Sequence, residues 1–300
     1  MNLWYLLIPA LLLAVVLPAQ QVTPAEPGES PPRAVVLRPV LNMHAEPTFD
    51  SSVVSQAVYA TTVQAPEWRG AWTRIRTPDD YLGWVETEAL RLLETGEQYP
   101  AAGRPSATVE SLMAHLYPTP SVTSRAPMLT LPFESRLEIE EELEDDNRRW
   151  LKVKLPDGWS AWVQRGDLRF QAPPADIPSI SVFARRFLGL PYTWGGTSAF
   201  GYDCSGFVQM LTRRAGFSIP RDAKPQAHWD GMAAVDRKNL QPGDLIYFGS
   251  EYDKISHTGF YLGNGEFIHA TTHQHPVLQI SRLDEEHWDK LFVCARRWKK

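Results

Sequence analysis

Only one of the two cysteines stands where a nucleophile would be expected. Cys204 precedes Ser205 at the start of a segment whose apolar residues recur at helical spacing. Unpaired N–H groups and the dipole at a helix start stabilise a thiolate, the reactive form of the group. Cys294 lies in an apolar run typical of a strand, as a structural cysteine would. The sequence predicts Cys204 as a nucleophile, and a disulfide to Cys294 is the alternative.

A thiolate nucleophile needs an imidazole that holds its proton and later protonates the leaving amine. His257 and His269 are the candidates, because the segments that carry them flank Gly263-Asn264-Gly265 and predict a hairpin. If Leu262 pairs with Glu266 across a three-residue loop, both imidazoles lie on one face. A two-residue Asn-Gly turn would place them on opposite faces. The prediction of a histidine pair therefore requires the three-residue loop, and ordinary surface placement is the alternative.

The elements that must position these side chains lie in residues 177–300. Apolar residues at helical spacing predict one helix ending at Gly189 and a second from Ser205 to Ala215. Short apolar or alternating runs, separated by Gly, Asn and Pro, follow and predict several strands. Two helices followed by strands predict an α+β domain.

An internal repeat precedes this domain. A unit with two tryptophans and a leucine occurs twice at an offset of 78 (150 − 72). The repeated residues are Trp72, Trp84 and Leu90, then Trp150, Trp162 and Leu168. Alternating stretches and Pro-Asp turns within each copy predict small antiparallel barrels, one in residues 33–95 and one in residues 106–170.

The N-terminal residues and the composition limit the location and partners. Residues 1–20 form an apolar run typical of a secretory signal, although without Lys or Arg, so an uncleaved membrane anchor is the alternative. Residues 21–32 are rich in Pro and Glu and predict a linker. The net charge of −5 offers no broad basic field for nucleic acid. We expect an exported protein of the periplasm, cell envelope or exterior.

Residues 177–300 resemble the NlpC/P60 family of papain-like cysteine peptidases, and the two repeats resemble bacterial SH3 (SH3b) domains. Six motifs occur in the order of that family. They are Pro191-Tyr-Thr-Trp-Gly-Gly196, Asp203-Cys-Ser-Gly-Phe207, Pro220-Arg-Asp-Ala223 with Gln226, Pro242-Gly-Asp-Leu245, Ser256-His-Thr-Gly-Phe-Tyr-Leu-Gly263 and Phe267-Ile-His-Ala270. The resemblance implies two all-β SH3-like barrels followed by an α+β papain-like catalytic domain.

The resemblance also implies roles for the residues around the nucleophile. Cys204 would attack, His257 would act as base and then acid, and His269 would orient the imidazole of His257. Tyr192 would help to stabilise the oxyanion, with core packing as the alternative. No cofactor is implied.

Substrate-binding roles are implied for four further residues. Asp203 and Ser205 would bind a free amine of the substrate, with helix capping by Asp203 as the alternative. Glu86 and Tyr117, one in each barrel, would form a wall at one end of the cleft. No metal is predicted, since the neighbouring His273 and His275 lack other ligands at usual spacing.

The implied reaction is hydrolysis of peptidoglycan stem peptides. The expected bond joins γ-D-glutamate to a diamino acid, meso-diaminopimelate or Lys, in peptides with a free N-terminal L-Ala. Cleavage of intact peptidoglycan is one alternative. Others are a cell-wall binding protein that acts through its SH3b domains with an inert peptidase domain, and a transferase or deamidase on the same fold.

Overall fold

A computed structural model describes residues 30–144, 148–171 and 173–299. The predicted signal or anchor in residues 1–20 and most of the linker in residues 21–32 lie outside this part of the chain. Within it, no helix is long and apolar enough to cross a membrane. The strands and helices form three successive units.

The first unit is an antiparallel sheet of seven short strands. These are β1 (Arg33–Val36), β2 (Val40–His44), β3 (Val53–Val58), β4 (Thr62–Arg69), β5 (Trp72–Arg76), β6 (Leu82–Glu86) and β7 (Leu90–Leu92). Their order in the sheet is β3-β2-β6-β5-β4-β1-β7. Side chains alternate between the two faces of each strand, so apolar residues such as Ile75 and Val85 point into the core, where both are fully buried.

The second unit repeats this arrangement. Its strands are β8 (Ser106–Val109), β9 (Met113–Tyr117), β10 (Leu129–Pro132), β11 (Arg136–Glu142), β12 (Trp150–Lys154), β13 (Ser160–Gln164) and β14 (Leu168–Arg169). The order β10-β9-β13-β12-β11-β8-β14 matches that of the first unit, strand for strand. Trp72 and Trp150 both begin the fifth strand of their unit, as the repeat in the sequence requires.

The third unit combines helices with a six-stranded sheet. Its helices are α1 (Ile177–Ala184), α2 (Cys204–Arg214), α3 (Ala223–His228) and α4 (Glu286–Leu291). Its strands are β15 (Thr197–Ser198), β16 (Gly201–Tyr202), β17 (Met232–Val235), β18 (Leu245–Gly249), β19 (Ile255–Gly263), β20 (Glu266–Thr271), β21 (Val277–Arg282) and β22 (Phe292–Trp298). The large sheet has the order β17-β22-β18-β19-β20-β21, while β15 and β16 form a small hairpin.

The predicted helices correspond to α1 and α2, but α3 and α4 were not predicted. Each of these has only six residues, too few for a helical repeat of apolar positions to show. Helix α2 packs against β19 and β20, and its residues Phe207, Val208 and Leu211 are fully buried. Burial of such side chains stabilises the fold by about 1.5–3 kcal/mol each.

The turn between β19 and β20 differs from the predicted one. Gly263 pairs with Glu266, so only Asn264 and Gly265 form the turn. Both turn residues have positive φ, 54° and 81°, as a tight hairpin turn requires. The prediction of a three-residue loop, with Leu262 paired to Glu266, was therefore wrong.

A β-bulge next to this turn restores the predicted register. The pairing shifts by one residue between Tyr261 and Gly263, and beyond the shift Tyr261 pairs with Phe267. The extra residue on the bulged strand offsets the shorter turn. His257 and His269 consequently come together despite the two-residue turn.

Candidate active site

Cys204 is the first residue of α2 and is buried, with 7% of its surface exposed. Asp203 caps the helix, its side chain accepting a hydrogen bond from the N–H of Gly206 at 2.7 Å. Burial, followed by the carboxylate of Asp203, raises the pKa of the Cys204 thiol to about 12. The N–H of Thr258 acts in the opposite direction. Burial of the thiol thus opposes the thiolate that a helix start favours.

Cys204 and Cys294 are both free thiols. Tyr247 of β18 pairs with Cys294 in β22, in the middle of the large sheet. The disulfide alternative is therefore contradicted, and the two cysteines occupy separate environments.

His257 and His269 are hydrogen-bonded to each other. The distance from His257 Nε2 to His269 Nδ1 is 2.7 Å. On its other side, His269 Nε2 lies 3.1 Å from Ser281 Oγ. This chain of bonds leaves Nδ1 of His257 as the ring nitrogen available to accept a proton.

Both histidines are neutral in this environment. Burial, followed by the effect of His287, lowers the pKa of His257 to about 3. Burial also lowers the pKa of His269, which is fully buried. A neutral imidazole can accept a proton from a thiol, so these pKa directions favour general-base chemistry over a preformed ion pair.

Trp288 of α4 holds the two imidazole rings. Its ring is nearly parallel to that of His257, with centroids 5.1 Å apart and an angle of 27°. It meets His269 edge to face at 4.7 Å and 83°. Only 2% of Trp288 is exposed, so the indole covers the histidine pair on one side and restricts its motion.

Tyr192 is half-buried on the segment that leads to the nucleophile, and its backbone bridges to Tyr202. Burial, the charge on an ionised Cys204 and the carboxylate of Asp203 together raise the pKa of the Tyr192 hydroxyl. The phenol therefore keeps its proton and can donate a hydrogen bond.

Arg221 engages the residues on both sides of the nucleophile. Its Nη1 and Nη2 donate to the two carboxylate oxygens of Asp203, at 3.0 and 2.7 Å. Nη1 also donates to Ser205 Oγ at 2.9 Å. The structure thus shows the capping role for Asp203, and amine binding by Asp203 and Ser205 stays a prediction.

Comparison with known proteins places this geometry in a family. Residues 189–297 match the NlpC/P60 family model. Gamma-D-glutamyl-L-lysine dipeptidyl-peptidase of Bacillus cereus is 32% identical over 266 residues, which span 84% of this chain and 77% of that protein. The chain belongs to the NlpC/P60 family.

Two further similarities extend over different lengths of the chain. A crystal structure of an NlpC/P60 family protein from Bacillus cereus superposes with a TM-score of 0.76 at 25% identity, covering 89% of this chain and 99% of that one. The Bacillus subtilis gamma-D-glutamyl-L-lysine dipeptidyl-peptidase is 41% identical over 113 residues, 37% of each protein. Residues 39–91 match the bacterial SH3 domain model. The arrangement of barrels and NlpC/P60 domain is therefore a shared one.

The first barrel docks on the NlpC/P60 domain beside Cys204. Trp194 Nε1 donates to the carbonyl oxygen of Val53 at 3.0 Å. The hydroxyl of Tyr81 donates to the carboxylate of Asp222 at 3.1 Å. The first barrel therefore contacts two segments of the NlpC/P60 domain, the one that precedes Cys204 and the one that contains Asp222.

Glu86 and Tyr117 have different surroundings. Glu86 ends β6 and lines a groove of about 550 Å³, which Trp72 of the barrel and Phe200 of the NlpC/P60 domain also border. Tyr117 is 7% exposed and packs edge-on against Trp150 inside the second barrel, with centroids 5.6 Å apart. The structure thus brings Glu86 to the edge of the NlpC/P60 domain and leaves Tyr117 within its own barrel.

The second barrel contacts α1 and the C-terminal end of α2. Glu110 bonds to Arg214, the last residue of α2, at 2.9 Å, and Phe133 packs on Phe183 of α1. Cys204 starts the same helix, whose 11 residues are about 16 Å long. A role for Tyr117 as part of the cleft wall therefore stays a prediction.

Three contributors to the site were not predicted from sequence. Arg221 stands within a motif quoted above, so its position was visible but its partners were not. Ser281 and Trp288 carry no local signal, because only the packing of β21 and α4 brings them to the histidines. Among residues 30–144, 148–171 and 173–299, no group of three or more potential ligands could hold a metal ion.

Proposed function

We propose that this protein is a cysteine peptidase that hydrolyses peptidoglycan stem peptides between γ-D-glutamate and a diamino acid. The observation that carries the proposal is a buried thiol on α2 together with a hydrogen-bonded histidine pair on the two strands against which α2 packs. The Cys204 thiol lies at the helix N-terminus, and the hydrogen-bonded series His257, His269 and Ser281 supplies a base with a fixed orientation.

The geometry supports a general-base mechanism. His257 Nδ1 accepts the thiol proton as Sγ of Cys204 attacks the carbonyl carbon of the scissile amide. The N–H of Cys204 and the hydroxyl of Tyr192 stabilise the oxyanion that forms. The protonated His257 then gives its proton to the leaving amine, and a thioester remains on Cys204. Water, deprotonated by His257, hydrolyses the thioester and restores the thiol.

His269 orients His257 without carrying a charge. Its Nδ1 accepts from Nε2–H of His257, and its own Nε2–H donates to Ser281 Oγ. This assignment keeps Nδ1 of His257 free of hydrogen, as a base must be. A neutral imidazole stabilises the imidazolium less than a carboxylate would.

The relatives indicate the bond and the end of the substrate. A dipeptidyl-peptidase releases two residues from a free N-terminus, so such an enzyme must recognise an amine. Asp203 is already paired with Arg221, whereas the neighbouring Asp222 accepts a hydrogen bond from Tyr81 of the first barrel. We add Asp222 to Asp203 and Ser205 as a candidate partner of the substrate amine.

We also infer the identity of the units. The identical strand order of the two barrels supports a bacterial SH3 domain in residues 106–170 as well as in residues 33–95. A nucleophile-bearing helix that packs on histidine-bearing strands supports a papain-like arrangement in residues 177–300. The apolar run in residues 1–20 fits export to the cell envelope.

Digestion of a purified L-Ala-γ-D-Glu-meso-diaminopimelate peptide tests the function. We expect release of the dipeptide L-Ala-γ-D-Glu, detected by mass spectrometry, and no release by Cys204→Ala or His257→Ala. Cys294→Ala is the matched control and should retain activity, since this thiol lies away from the site. Absence of dipeptide from the wild type would exclude the proposed bond.

Two further substrates define the requirement at the N-terminus. Acetylation of the L-Ala amine should block cleavage if the amine is recognised. Soluble peptide released from purified sacculi would instead identify intact peptidoglycan as the substrate.

A further inference from the structure

Arg221 is a buried cation whose donors are all directed at backbone or side-chain oxygens around the nucleophile. Its side chain is 1% exposed. Besides Asp203 and Ser205, it reaches the carbonyl oxygen of Gly196 from Nη2 at 3.4 Å. Asp203 and Ser205 directly precede and follow Cys204, and Gly196 belongs to the segment after Tyr192. One guanidinium therefore ties together the chain segments that surround the thiol.

The remaining nitrogen of this guanidinium bonds to the first barrel. Arg221 Nε donates to Ser55 Oγ at 3.1 Å. Ser55 lies on β3, is 3% exposed, and belongs to the strand that packs against β15. The guanidinium is rigid and planar, so displacement of one nitrogen displaces the others. The contact with Ser55 is therefore coupled to the contacts around Cys204.

The charges around the thiol give Arg221 a second effect. Asp203 has its carboxylate next to Cys204 and disfavours a thiolate, whereas Arg221 favours it. The two-point bond between Arg221 and Asp203 neutralises that carboxylate where both are buried. Loss of the guanidinium would leave a buried carboxylate unpaired beside the nucleophile, which is costly.

We propose that Arg221 is a positioning residue for the Cys204 nucleophile, and that the first barrel takes part in the reaction by holding Arg221 through Ser55. Arg221 touches neither substrate nor reacting atoms; it acts through Asp203, Ser205 and Gly196. The inference rests on the proposed function, since it concerns the same thiol.

Ser55→Ala tests the contribution of the barrel with little risk to folding. We expect kcat to fall about fivefold, with KM unchanged, because one hydrogen bond to a charged group is lost. Ser135→Ala, which removes another fully buried serine hydroxyl, in the second barrel, is the matched control and should leave kcat unchanged.

Arg221→Gln and Arg221→Lys test the cation. We expect Arg221→Gln to lower kcat about a hundredfold, and Arg221→Lys to recover part of the loss, since lysine keeps the charge without the fork. Arg297→Gln is the control, because Arg297 also binds a buried carboxylate at two points, that of Asp244. Its loss should affect stability and leave kcat unchanged.

A second readout needs no substrate. The rate at which iodoacetamide alkylates Cys204, resolved from Cys294 by mass spectrometry of peptides, reports the ionisation of the thiol as pH varies. We expect the profile to move to higher pH in Arg221→Gln, and in the same direction but less in Ser55→Ala. A purely structural defect would not shift it in a protein with wild-type circular dichroism.

The outcomes separate the two proposals. If wild type cleaves no γ-D-glutamyl peptide but the alkylation profiles shift, the proposed function fails and the role of Arg221 stands. If both variants match wild type in kcat and in alkylation, the positioning role is overturned. If Arg221→Gln does not fold, Ser55→Ala decides, and a wild-type profile there overturns the role of the barrel.

Discussion

The ionisation of the two reacting groups is set by burial. Cys204 stands at the start of a helix, which favours a thiolate, yet burial raises its pKa to about 12. Desolvation of a fully enclosed thiol outweighs the dipole and the N–H of Thr258. In the proposed mechanism the acid–base pair therefore rests in its neutral form, and His257 accepts the proton during attack.

This state predicts where activity is lost in acid. The base must be neutral, and burial lowers the pKa of His257 from an ordinary 6.5 to about 3. As pH falls, kcat/KM should therefore persist below 6.5 and decline only in more acidic solution. Rates for the tripeptide substrate between about pH 4 and about pH 8 check this.

As a control, tryptophan fluorescence should show that the protein stays folded over the same pH range. A decline of kcat/KM centred at or above the ordinary histidine pKa would contradict a desolvated His257.

Residue type and position in the chain were enough to single out Cys204, His257 and His269 as candidates, and the structure shows the two histidines hydrogen-bonded to each other. Arg221 and Trp288 act over long sequence separations, through contacts that only the folded chain creates. Nothing local distinguishes Trp288 from the other tryptophans of the chain. The candidate reacting groups could therefore be proposed from sequence, and the groups that contact them could not.

At the scale of elements, the turn of the β19–β20 hairpin was predicted wrongly, whereas the register of its strands was predicted correctly. The motif Gly263-Asn264-Gly265 allows a two-residue turn, which by itself would separate the histidines. A bulge carries no clear sequence signal, so the compensation could not be predicted. The family motifs favoured paired histidines. The bulge allows the hairpin to have a two-residue turn and still place both histidines on one face.

Gly259 on β19 leaves space for the side chains of Phe267 and His269. A Cβ there would lie 2.7 Å from Phe267 Cδ2 and 3.3 Å from His269 Cβ. We expect Gly259→Ala to displace the imidazole and lower kcat about tenfold, with a loss of about 1–3 kcal/mol in the free energy of unfolding. Peptide hydrolysis and urea denaturation measure the two effects.

Gly166→Ala is the matched control, because a Cβ at Gly166 meets nothing within 4 Å. It should leave kcat unchanged. A wild-type kcat in Gly259→Ala would show that His269 tolerates displacement and would argue against its orienting role.

At the scale of the whole molecule, the two barrels have the same strand order but contact the NlpC/P60 domain differently. The first docks beside the nucleophile, and Tyr81 at its β5–β6 turn donates to Asp222. The offset of 78 places Trp159 at the equivalent turn of the second barrel, where it is 71% exposed. The repeat predicted the shared fold, but docking depends on the few positions at which the copies differ.

The second barrel should therefore contribute stability without affecting catalysis. Glu110 accepts from Arg169 at 2.8 Å and from Arg214 at 2.9 Å, which joins the barrel to the end of α2 opposite Cys204. We expect Glu110→Ala to lower the thermal midpoint by about 2–6 °C, because it leaves half-buried arginines without their carboxylate. The value of kcat/KM should not change.

Glu88→Ala is the comparison for this prediction, since Glu88 is 72% exposed in its pair with Arg38, and such pairs contribute little. Its thermal midpoint should stay within about 1 °C of wild type. A tenfold loss of kcat/KM in folded Glu110→Ala would instead show that α2 transmits strain from its far end to Cys204. Both barrels would then act on the nucleophile, the first through Ser55 and Arg221 and the second along the helix.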